Sequence, residues 1–412
     1  MPLIRPFRGL RPAPQHVAEV LAPPYDVLNS EEARARAAGR PWSFLHISKP
    51  EIDLPPGQDP YAPEVYAKGA ANFARLLEEG ILIRDPTPRY YVYRLRMGAH
   101  TQTGLVCTAS VAAYRAQRIR RHEFTRPEKE NDRVRQIEAL NAQTGPVLLA
   151  YRDDADLDAR LAAVTGTAPE VDVEGGDGVR HSVWVVDDPG WCARVSERFE
   201  AMPVLYIADG HHRSAAAARV AESRAAADPG AGAEASYDYF LAVAFPAGQM
   251  RILDYNRVVR DLNGLRPEAF LARLADDFTV TPADAPVSPQ RPGEFGLYLS
   301  GRWYRLSLDP ARVPDDPVAR LDVSLLTDRV LAPVLGIRDL RRDPRIDFVG
   351  GIRGLGELER RVDDGGMAAA FALRPTPMRD LMAVADAGKV MPPKSTWFEP
   401  KLADGLVSHV LD

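Results

Sequence analysis

The sequence predicts a mixed α/β protein, of the α+β type, built from two domains. Three observations support this fold class. The chain has 412 residues, of which 45% are hydrophobic and 26% charged, a composition typical of globular proteins that bury a sizeable core. Segments of strand composition and segments of helical periodicity interleave irregularly along the chain. Several predicted strands are also neighbours in sequence, which favours a mixed sheet over a strict βαβ repeat.

The first eighty residues are predicted to contain extended, proline-broken and helical segments. Residues 3–10 have the composition of a short extended segment. The segment Ala22-Pro-Pro-Tyr-Asp-Val27 is expected to be extended and kinked, because proline fixes φ and lacks an amide hydrogen. A helix begins at Asn29, a capping residue that acidic side chains follow. Residues 49–63 contain five prolines and predict an exposed loop, and residues 64–80 predict the next helix.

The rest of the chain alternates between strands and helices. Residues 90–96 and 104–114 are rich in aromatic and β-branched side chains and predict a hairpin. Small, turn-forming residues at 226–236 mark the softest boundary, which divides the chain into domains 1–235 and 236–412. Residues 280–292 predict a proline-rich surface loop. The other predicted strands are 146–151, 182–186, 203–207, 239–245, 295–300 and 303–308, and the other predicted helices are 127–142, 191–200, 212–227, 267–277, 323–330 and 354–362.

Charge and cysteine content exclude several classes of protein. Lys and Arg number 52 and Asp and Glu number 57, so the formal net charge is −5 and there is no general basic field for nucleic acid, which is not an expected partner. Cys107 and Cys192 are the only cysteines, which excludes a disulfide scaffold. No apolar stretch approaches the roughly 20 residues of a membrane span, and the N-terminus lacks the apolar core of a secretory signal. We therefore expect a cytoplasmic protein without a membrane partner.

The sharpest motif lies where a predicted strand turns into an alanine-rich helix. It consists of Asp209, Gly210, His211, His212 and Arg213. Glycine allows a tight turn, and the amides at a helix start suit a phosphate, to which Arg213 would add a charged grip. Asp209 would bind Mg²⁺ or orient one histidine, and one histidine, such as His211, would act as an acid or base. The alternative is an Asp cap with structural histidines.

A second charged cluster precedes the helix predicted at 127–142. Its members include Arg121, His122, Glu123, Thr125 and Arg133. These side chains suit a phosphate or amino-acid pocket, in which Arg121 would hold an anion and Glu123 would act as a base or metal ligand. A solvated surface explains the same run of charges equally well.

A third candidate lies near the end of the chain. Lys394, Ser395 and Thr396 follow two prolines, and together they would bind a phosphate or carboxylate in a fixed loop. Packing of Trp397 and Phe398 as a tail onto the body of the protein explains the segment as well. Common nucleotide and hydrolase motifs are absent: the sequence has no G-x-x-x-x-G-K-[ST], no G-x-S-x-G and no H-E-x-x-H. The glycine-rich residues 350–356 lack the dinucleotide spacing and predict a strand-to-helix turn.

Four segments together resemble a prokaryotic family known as domain of unknown function 1015. They are Ala22-Pro-Pro-Tyr-Asp-Val27, Arg121-His-Glu-Phe-Thr125 with Asp132-Arg133, Ala208-Asp-Gly-His-His-Arg213, and Met391-Pro-Pro-Lys-Ser-Thr396. They span nearly the whole chain in one order. The third segment is also similar to the nucleotide-phosphate motif of the ParB/sulfiredoxin-like superfamily, which includes archaeal kinases that phosphorylate free serine.

The resemblance implies a ParB/sulfiredoxin-like nucleotide-binding core with large insertions and a C-terminal α/β extension. It also implies ATP or ADP with Mg²⁺ as ligands, and nucleotide phosphates at Asp209 to Arg213. The serine kinases use an acidic residue of an early loop as the base, for which Asp26 is the candidate here and Glu123 the competitor. The resemblance and the motifs predict a small-molecule kinase that phosphorylates a free amino acid, with serine favoured, or a related metabolite.

A nucleotide-binding regulator that transfers no phosphate is the alternative function. The expected partners are the nucleotide and a small hydroxylated metabolite, and the sequence leaves a homodimer open. The sequence also leaves open whether the C-terminal region completes the site, which the segment at 391–396 favours.

Overall fold

The computed structural model describes residues 1–228 and 234–412, and it shows a mixed α/β protein. The strands are β1 Ile4–Arg5, β2 Gly9–Pro12, β3 Leu82–Arg84, β4 Tyr90–Met97, β5 His100–Ser110, β6 Ile119–Arg120, β7 Ala142–Gln143, β8 Val147–Tyr151, β9 Val171–Glu174, β10 Arg180–Val186, β11 Leu205–Asp209, β12 Tyr239–Pro246, β13 Ile252–Leu253, β14 Tyr255–Val259, β15 Phe278–Ala283, β16 Glu294–Leu299, β17 Arg302–Leu308, β18 Ile346–Gly350, β19 Ala369–Ala372, β20 Trp397–Phe398 and β21 Ser408–Val410. The helices are α1 Val17–Val20, α2 Ser30–Ala37, α3 Leu45–Ser48, α4 Pro63–Glu78, α5 Val111–Arg115, α6 Pro127–Leu140, α7 Ala155–Thr165, α8 Pro189–Glu200, α9 His211–Ala227, α10 Pro267–Leu274, α11 Asp322–Leu326, α12 Gly356–Asp363 and α13 Met378–Asp386.

The chain forms two compact units. The first unit contains Met1–Met250 together with Pro400–Asp412, and the second contains Arg251–Glu399. The predicted domains, 1–235 and 236–412, stay a prediction. The two compact units have different bounds from these domains, because β12, which follows residue 235, is a central strand of the first unit's sheet, between β8 and β5. The softest predicted boundary, at 226–236, lies partly outside the described residues.

A large mixed sheet organises the first unit. Its strand order is β6-β11-β8-β12-β5-β4-β10-β9, with β1 paired to β5. The pairs β6·β11 and β8·β12 are parallel and the others are antiparallel. Apolar side chains of the sheet, such as Leu149 and Ile207, pack in one core with Ala217 and Val220 of α9. This burial positions the N-terminus of α9 at the end of β11.

The last residues of the chain join a smaller sheet of the first unit. Its order is β3-β2-β21-β7, so the C-terminal strand lies between strands from the first half of the sequence. The segment before β21 forms a bridge between Ala22 and Asp404. This pairing holds residues 400–404 beside the proline-broken N-terminal segment.

The second unit has its own sheet and core. Its six strands are antiparallel in the order β15-β17-β16-β19-β14-β18, and β13 pairs with β20 as a separate ribbon. Side chains including Val258, Val349 and Leu358 are buried together in one cluster.

Most of the predicted elements are confirmed. The hairpin is β4 and β5, and the helices predicted from Asn29 and at 127–142 and 212–227 are α2, α6 and α9. Asn29 caps α2 with a reciprocal capping box to Glu32. The predicted strand-to-helix turn at 350–356 connects β18 to α12. Among the described residues, no helix has both the length and the apolarity that a bilayer crossing demands.

Four local predictions were wrong. The strand predicted to reach residue 114 ends at Ser110, whose side chain accepts a hydrogen bond from the Ala113 amide and starts α5. Tyr25–Val27 is a 3-10 turn rather than extended chain. Pro50–Asp53 is another 3-10 turn, three of whose residues are buried, so this part of the predicted loop is not exposed. The predicted loop at 280–292 begins inside β15, which pairs with β17.

Candidate functional site

The predicted phosphate motif lies at a strand-to-helix turn. β11 ends at Asp209, Gly210 has φ +95°, and α9 begins at His211. A Cβ atom on Gly210 would lie 3.2 Å from Cα of Val147, so a side chain there would be both strained and crowded. Gly210 occupies the cap position of α9, and within residues 1–228 and 234–412 no side-chain capping bond is made there and no acidic residue lies in the first turn of the helix. Asp209 is therefore not the helix cap, and the start of α9 has no capping side chain among the described residues.

Asp209 lies between two cationic groups. Its Oδ2 accepts a hydrogen bond from Nζ of Lys401 at 3.0 Å, and its Oδ1 accepts one from the Gly210 amide at 2.7 Å. Nη2 of Arg213 is 4.0 Å from Oδ1. Burial opposes ionisation, but the charges of Lys401 and Arg213 outweigh it and hold the pKa of Asp209 below its usual range. Asp209 is therefore an ionised member of a charge network.

Arg213 is held as a cation. Its Nη1 donates a hydrogen bond to the carbonyl oxygen of Pro146. Burial lowers the pKa of Arg213, but the nearby Asp26 and Asp209 carboxylates raise it above its ordinary value overall. The structure thus brings Asp26, the predicted base of the early loop, into the electrostatic environment of the predicted phosphate grip.

The two predicted clusters meet through their histidines. The rings of His122 and His211 are 4.5 Å apart and perpendicular, and Nε2 of His211 accepts a hydrogen bond from the His122 amide at 3.4 Å. That bond leaves the ring proton on Nδ1, which is 3.9 Å from Oε2 of Glu123. Nε2 of His212 accepts a hydrogen bond from the Arg126 amide at 3.1 Å. Residues 122–126 therefore lie against the start of α9.

Burial keeps both central histidines neutral. It lowers the pKa of His122 to about 4, and it lowers the pKa of His211, with the charges of its neighbours, well below the ordinary value. Nδ1 of His122 is buried and has no hydrogen-bond partner within the described residues. His211 at neutral pH is thus able to donate or accept a hydrogen bond but carries no charge.

Arg133 and Thr125 of the second cluster contact acidic and aromatic side chains. Arg133 donates from Nε and Nη2 to Oδ2 of Asp132, and its guanidinium lies 3.9 Å above the ring of Tyr25. Thr125 donates a hydrogen bond to Oε1 of Glu130. The charge of Arg121, which is exposed, contributes to lowering the pKa of His211. The cluster is therefore partly buried and is not only a solvated surface.

The third predicted group lies in the second unit. Lys394 has φ +59°, and its carbonyl oxygen accepts a hydrogen bond from Nη2 of the buried Arg257 at 2.9 Å. Ser395 donates to the carbonyl oxygen of Pro392, so its hydroxyl is used within the loop. Thr396 is half-buried beside it. Trp397 packs edge-on against Tyr255 with ring centroids 5.1 Å apart, as the tail-packing alternative expects.

The described side chains do not form a ready-made metal site. Within residues 1–228 and 234–412, no group of three or more His, Cys, Asp or Glu side chains has the arrangement to hold one. Both carboxylate oxygens of Asp209 accept hydrogen bonds from cationic or amide groups. The surroundings of Asp209 therefore fit an ion-pair network better than a closed metal site, and Mg²⁺ at Asp209 stays a prediction.

The family model described as "Protein of unknown function (DUF1015)" matches residues 4–324. The chain belongs to this family. A search of curated proteins gives no match. Among solved structures, a free serine kinase variant in complex with AMP is 13% identical, with 71% of this chain and 87% of that chain covered and a TM-score of 0.35. A conserved hypothetical protein from Pyrococcus furiosus is 14% identical (73% and 94% covered, TM-score 0.34). SbnI from Staphylococcus aureus, with a C-terminal truncation, is 11% identical (73% and 86% covered, TM-score 0.38).

In this DUF1015 member, two charged residues of the C-terminal segment lie at the site although no sequence motif pointed to them. Lys401 pairs with Asp209, and Asp404 lies near Arg213, Arg133 and Asp26. Burial and the charge of Asp26 raise the pKa of Asp404 to about 7, although the two arginines oppose the shift. Only the return of the chain to the first unit brings these residues to the site, and no local pattern indicates that return.

Proposed function

We propose that the protein is a small-molecule kinase that transfers phosphate from ATP or ADP to a hydroxyl of a free amino acid, with serine favoured, or of a related metabolite. The observation that carries this proposal is the convergence of Arg213 and Lys401 on Asp209, at the uncapped start of α9. Two cations at a helix start without a capping side chain form an environment suited to phosphate groups.

The turn itself supports a phosphate site. Gly210 brings the backbone close to the end of β11 without a side chain, so a ligand can approach the amides directly. The side chain of Lys401 is 23% exposed, which leaves it able to exchange part of its contact with Asp209 for a phosphate oxygen. The motif's resemblance to ParB/sulfiredoxin-like nucleotide sites supports the same role and a ParB/sulfiredoxin-like core.

Phosphoryl transfer requires mainly positioning and charge neutralisation. In the proposed reaction the hydroxyl oxygen of the acceptor forms a bond to the terminal phosphorus of the nucleotide. The bond between that phosphorus and the bridging oxygen breaks, and the shortened nucleotide leaves with the electron pair. The hydroxyl proton passes to the carboxylate of Asp26, or of Glu123 as the competing base. Neutral His211, whose Nδ1 lies 3.9 Å from Oε2 of Glu123, orients that carboxylate in the proposed reaction.

Divalent metal would enter with the nucleotide. Mg²⁺ is commonly held by substrate phosphates with one or two carboxylates, and it supplies neutralisation of phosphate charge. Asp209 is the residue proposed to face it.

The test is product formation by the whole protein. Purified protein receives Mg²⁺ with ATP or ADP, and serine within a pool of hydroxylated metabolites, and mass spectrometry follows phosphorylated products. We expect a phosphorylated metabolite that disappears with Arg213→Ala and persists with Arg219→Ala, an exposed arginine of the same helix. Nucleotide binding without any product would instead favour the nucleotide-binding regulator.

A further inference from the structure

A cavity lies inside the first unit, next to the proposed phosphate grip. Its volume is about 30 Å³, so it suits a compact ligand. Its wall includes Tyr25, Ser48, Arg133, Arg213 and Asp404. All of these residues belong to the first unit.

Two oxygen atoms in this wall are buried without hydrogen-bond partners among the described residues. They are Oδ1 of Asp404 and Oγ of Ser48, whose residues are 2% and 6% exposed. Buried polar atoms are almost always hydrogen-bonded, and leaving one unpaired costs about 1–3 kcal/mol. Unpaired oxygens that line a cavity therefore point to a ligand with hydrogen-bond donors.

The charges of the wall indicate which groups the ligand carries. Asp404 has no cationic group within ion-pair distance among the described residues, and burial outweighs the support that its carboxylate receives from the Tyr25 amide and from the more distant charges of Arg213 and Arg133. The guanidinium carbon of Arg133 lies 3.9 Å from the centroid of the Tyr25 ring, and its Nε and Nη2 donate to Asp132, so Nη1 is the nitrogen that these two bonds do not use. A ligand with both an ammonium and a carboxylate group would complement both residues.

We propose that this cavity binds the acceptor as a compact zwitterion, with its ammonium group at Oδ1 of Asp404 and its carboxylate at Arg133. Asp404 then determines specificity for an amine-bearing acceptor over a hydroxy acid of the same size. That this ligand is the phosphate acceptor rests on the proposed function. The binding of the ligand itself does not depend on phosphoryl transfer and is tested separately.

Proton release provides a signature that a purely structural role would not produce. With the pKa of Asp404 at about 7, the group is partly protonated at neutral pH. An ammonium ligand favours the ionised form, so binding releases a proton and tightens from about pH 6 to about pH 8. The charged and titratable groups that act on Asp404, or on which it acts, are Arg213, Arg133, Asp26, Tyr25 and Tyr93.

The experiment is calorimetric titration of the whole protein, without nucleotide, with serine and with glycerate, which replaces the amine by a hydroxyl. We expect serine to bind at least about tenfold more tightly than glycerate, and Asp404→Asn to remove both this preference and the pH dependence. Asp412→Asn, an exposed carboxylate of the same segment, is the matched control. Ser48→Ala should weaken serine binding severalfold while it leaves the pH dependence unchanged.

Each outcome decides the inference. Absence of serine binding, equal affinity for serine and glycerate, or an unchanged preference in a folded Asp404→Asn protein would overturn it, and thermal denaturation verifies folding. Should Asp404→Asn fail to fold, the pH dependence of serine binding to the wild type decides, since a constant affinity contradicts the role of Asp404. Selective serine binding without phosphorylated product would overturn the proposed kinase and leave this inference standing.

Discussion

The ammonium group of Lys401 lies 3.0 Å from Oδ2 of Asp209, although 192 residues separate them in the sequence. This contact joins the C-terminal segment to the turn that precedes α9. It places a second cation, beside Arg213, at the proposed phosphate site. The site therefore combines residues from the middle of the chain with residues from its C-terminal segment.

Replacement of Lys401 by Met tests this contact. Asp209 would keep Arg213 as its remaining cationic neighbour, so we expect the free energy of unfolding to fall by only about 1 kcal/mol, since both side chains are partly exposed. Nucleotide affinity should fall more strongly, by about tenfold, because a charged phosphate contact is lost. Chemical denaturation and nucleotide titration measure the two effects. An unchanged nucleotide affinity would remove Lys401 from the proposed site.

Replacement of Gly210 by Ala tests the turn. The positive φ disfavours alanine by about 1–2 kcal/mol, and the close Cα of Val147 adds crowding. Gly178→Ala is the control, because that glycine has φ +77° and nothing within 4 Å of the added Cβ. We expect Gly210→Ala to be the more destabilising of the two in thermal denaturation, and the only one to lose nucleotide binding. Equal effects would show that the approach of Val147 is unimportant.

Titration of Asp404 predicts a pH-dependent stability. Its pKa is about 7 in the folded protein against an ordinary 3.8, so between these values the unfolded state ionises while the folded state keeps its proton. The contribution of Asp404 to stability is therefore highest below about pH 4, falls as pH rises, and reaches its minimum above about pH 7. Relative to the wild type, Asp404→Asn should gain melting temperature from about pH 5 to about pH 8, by about 2–4 °C per kcal/mol. A melting-temperature difference that stays constant with pH would contradict this pKa.

Removal of each candidate base separates Asp26 from Glu123. Asp26 contributes to the high pKa of Arg213, whereas Glu123 lies near Nδ1 of His211. We expect Asp26→Asn to lower kcat about 100-fold or more with little change in KM for the nucleotide, and Glu123→Gln to have a smaller effect. Steady-state kinetics on the identified acceptor decides between them. The reverse order of effects would assign the base to Glu123.

Local sequence patterns predicted most of the elements near the site. Asn29 and the acidic residues after it predicted α2, and the alternation of charged and apolar residues predicted α6. Both predictions succeeded because capping and helical periodicity act within a few residues. The motif from Asp209 to Arg213 predicted the strand, turn and helix around Gly210 for the same reason. Errors arose where a single side chain overrode composition, as Ser110 does when it starts α5.

The sequence by itself determined the mixed α/β class, the family and the residues of the turn, since these depend on composition, on short motifs and on the order of those motifs along the chain. Only the tertiary structure decided that His122 and Glu123 lie against α9, that Lys401 and Asp404 belong to the first unit, and that Asp404 and Ser48 line one cavity. The physical reason is that these contacts arise from strand pairing and burial between segments far apart in the chain. The local sequence of one such segment does not indicate which distant segment it pairs with, as the pairing of β21 with β2 illustrates.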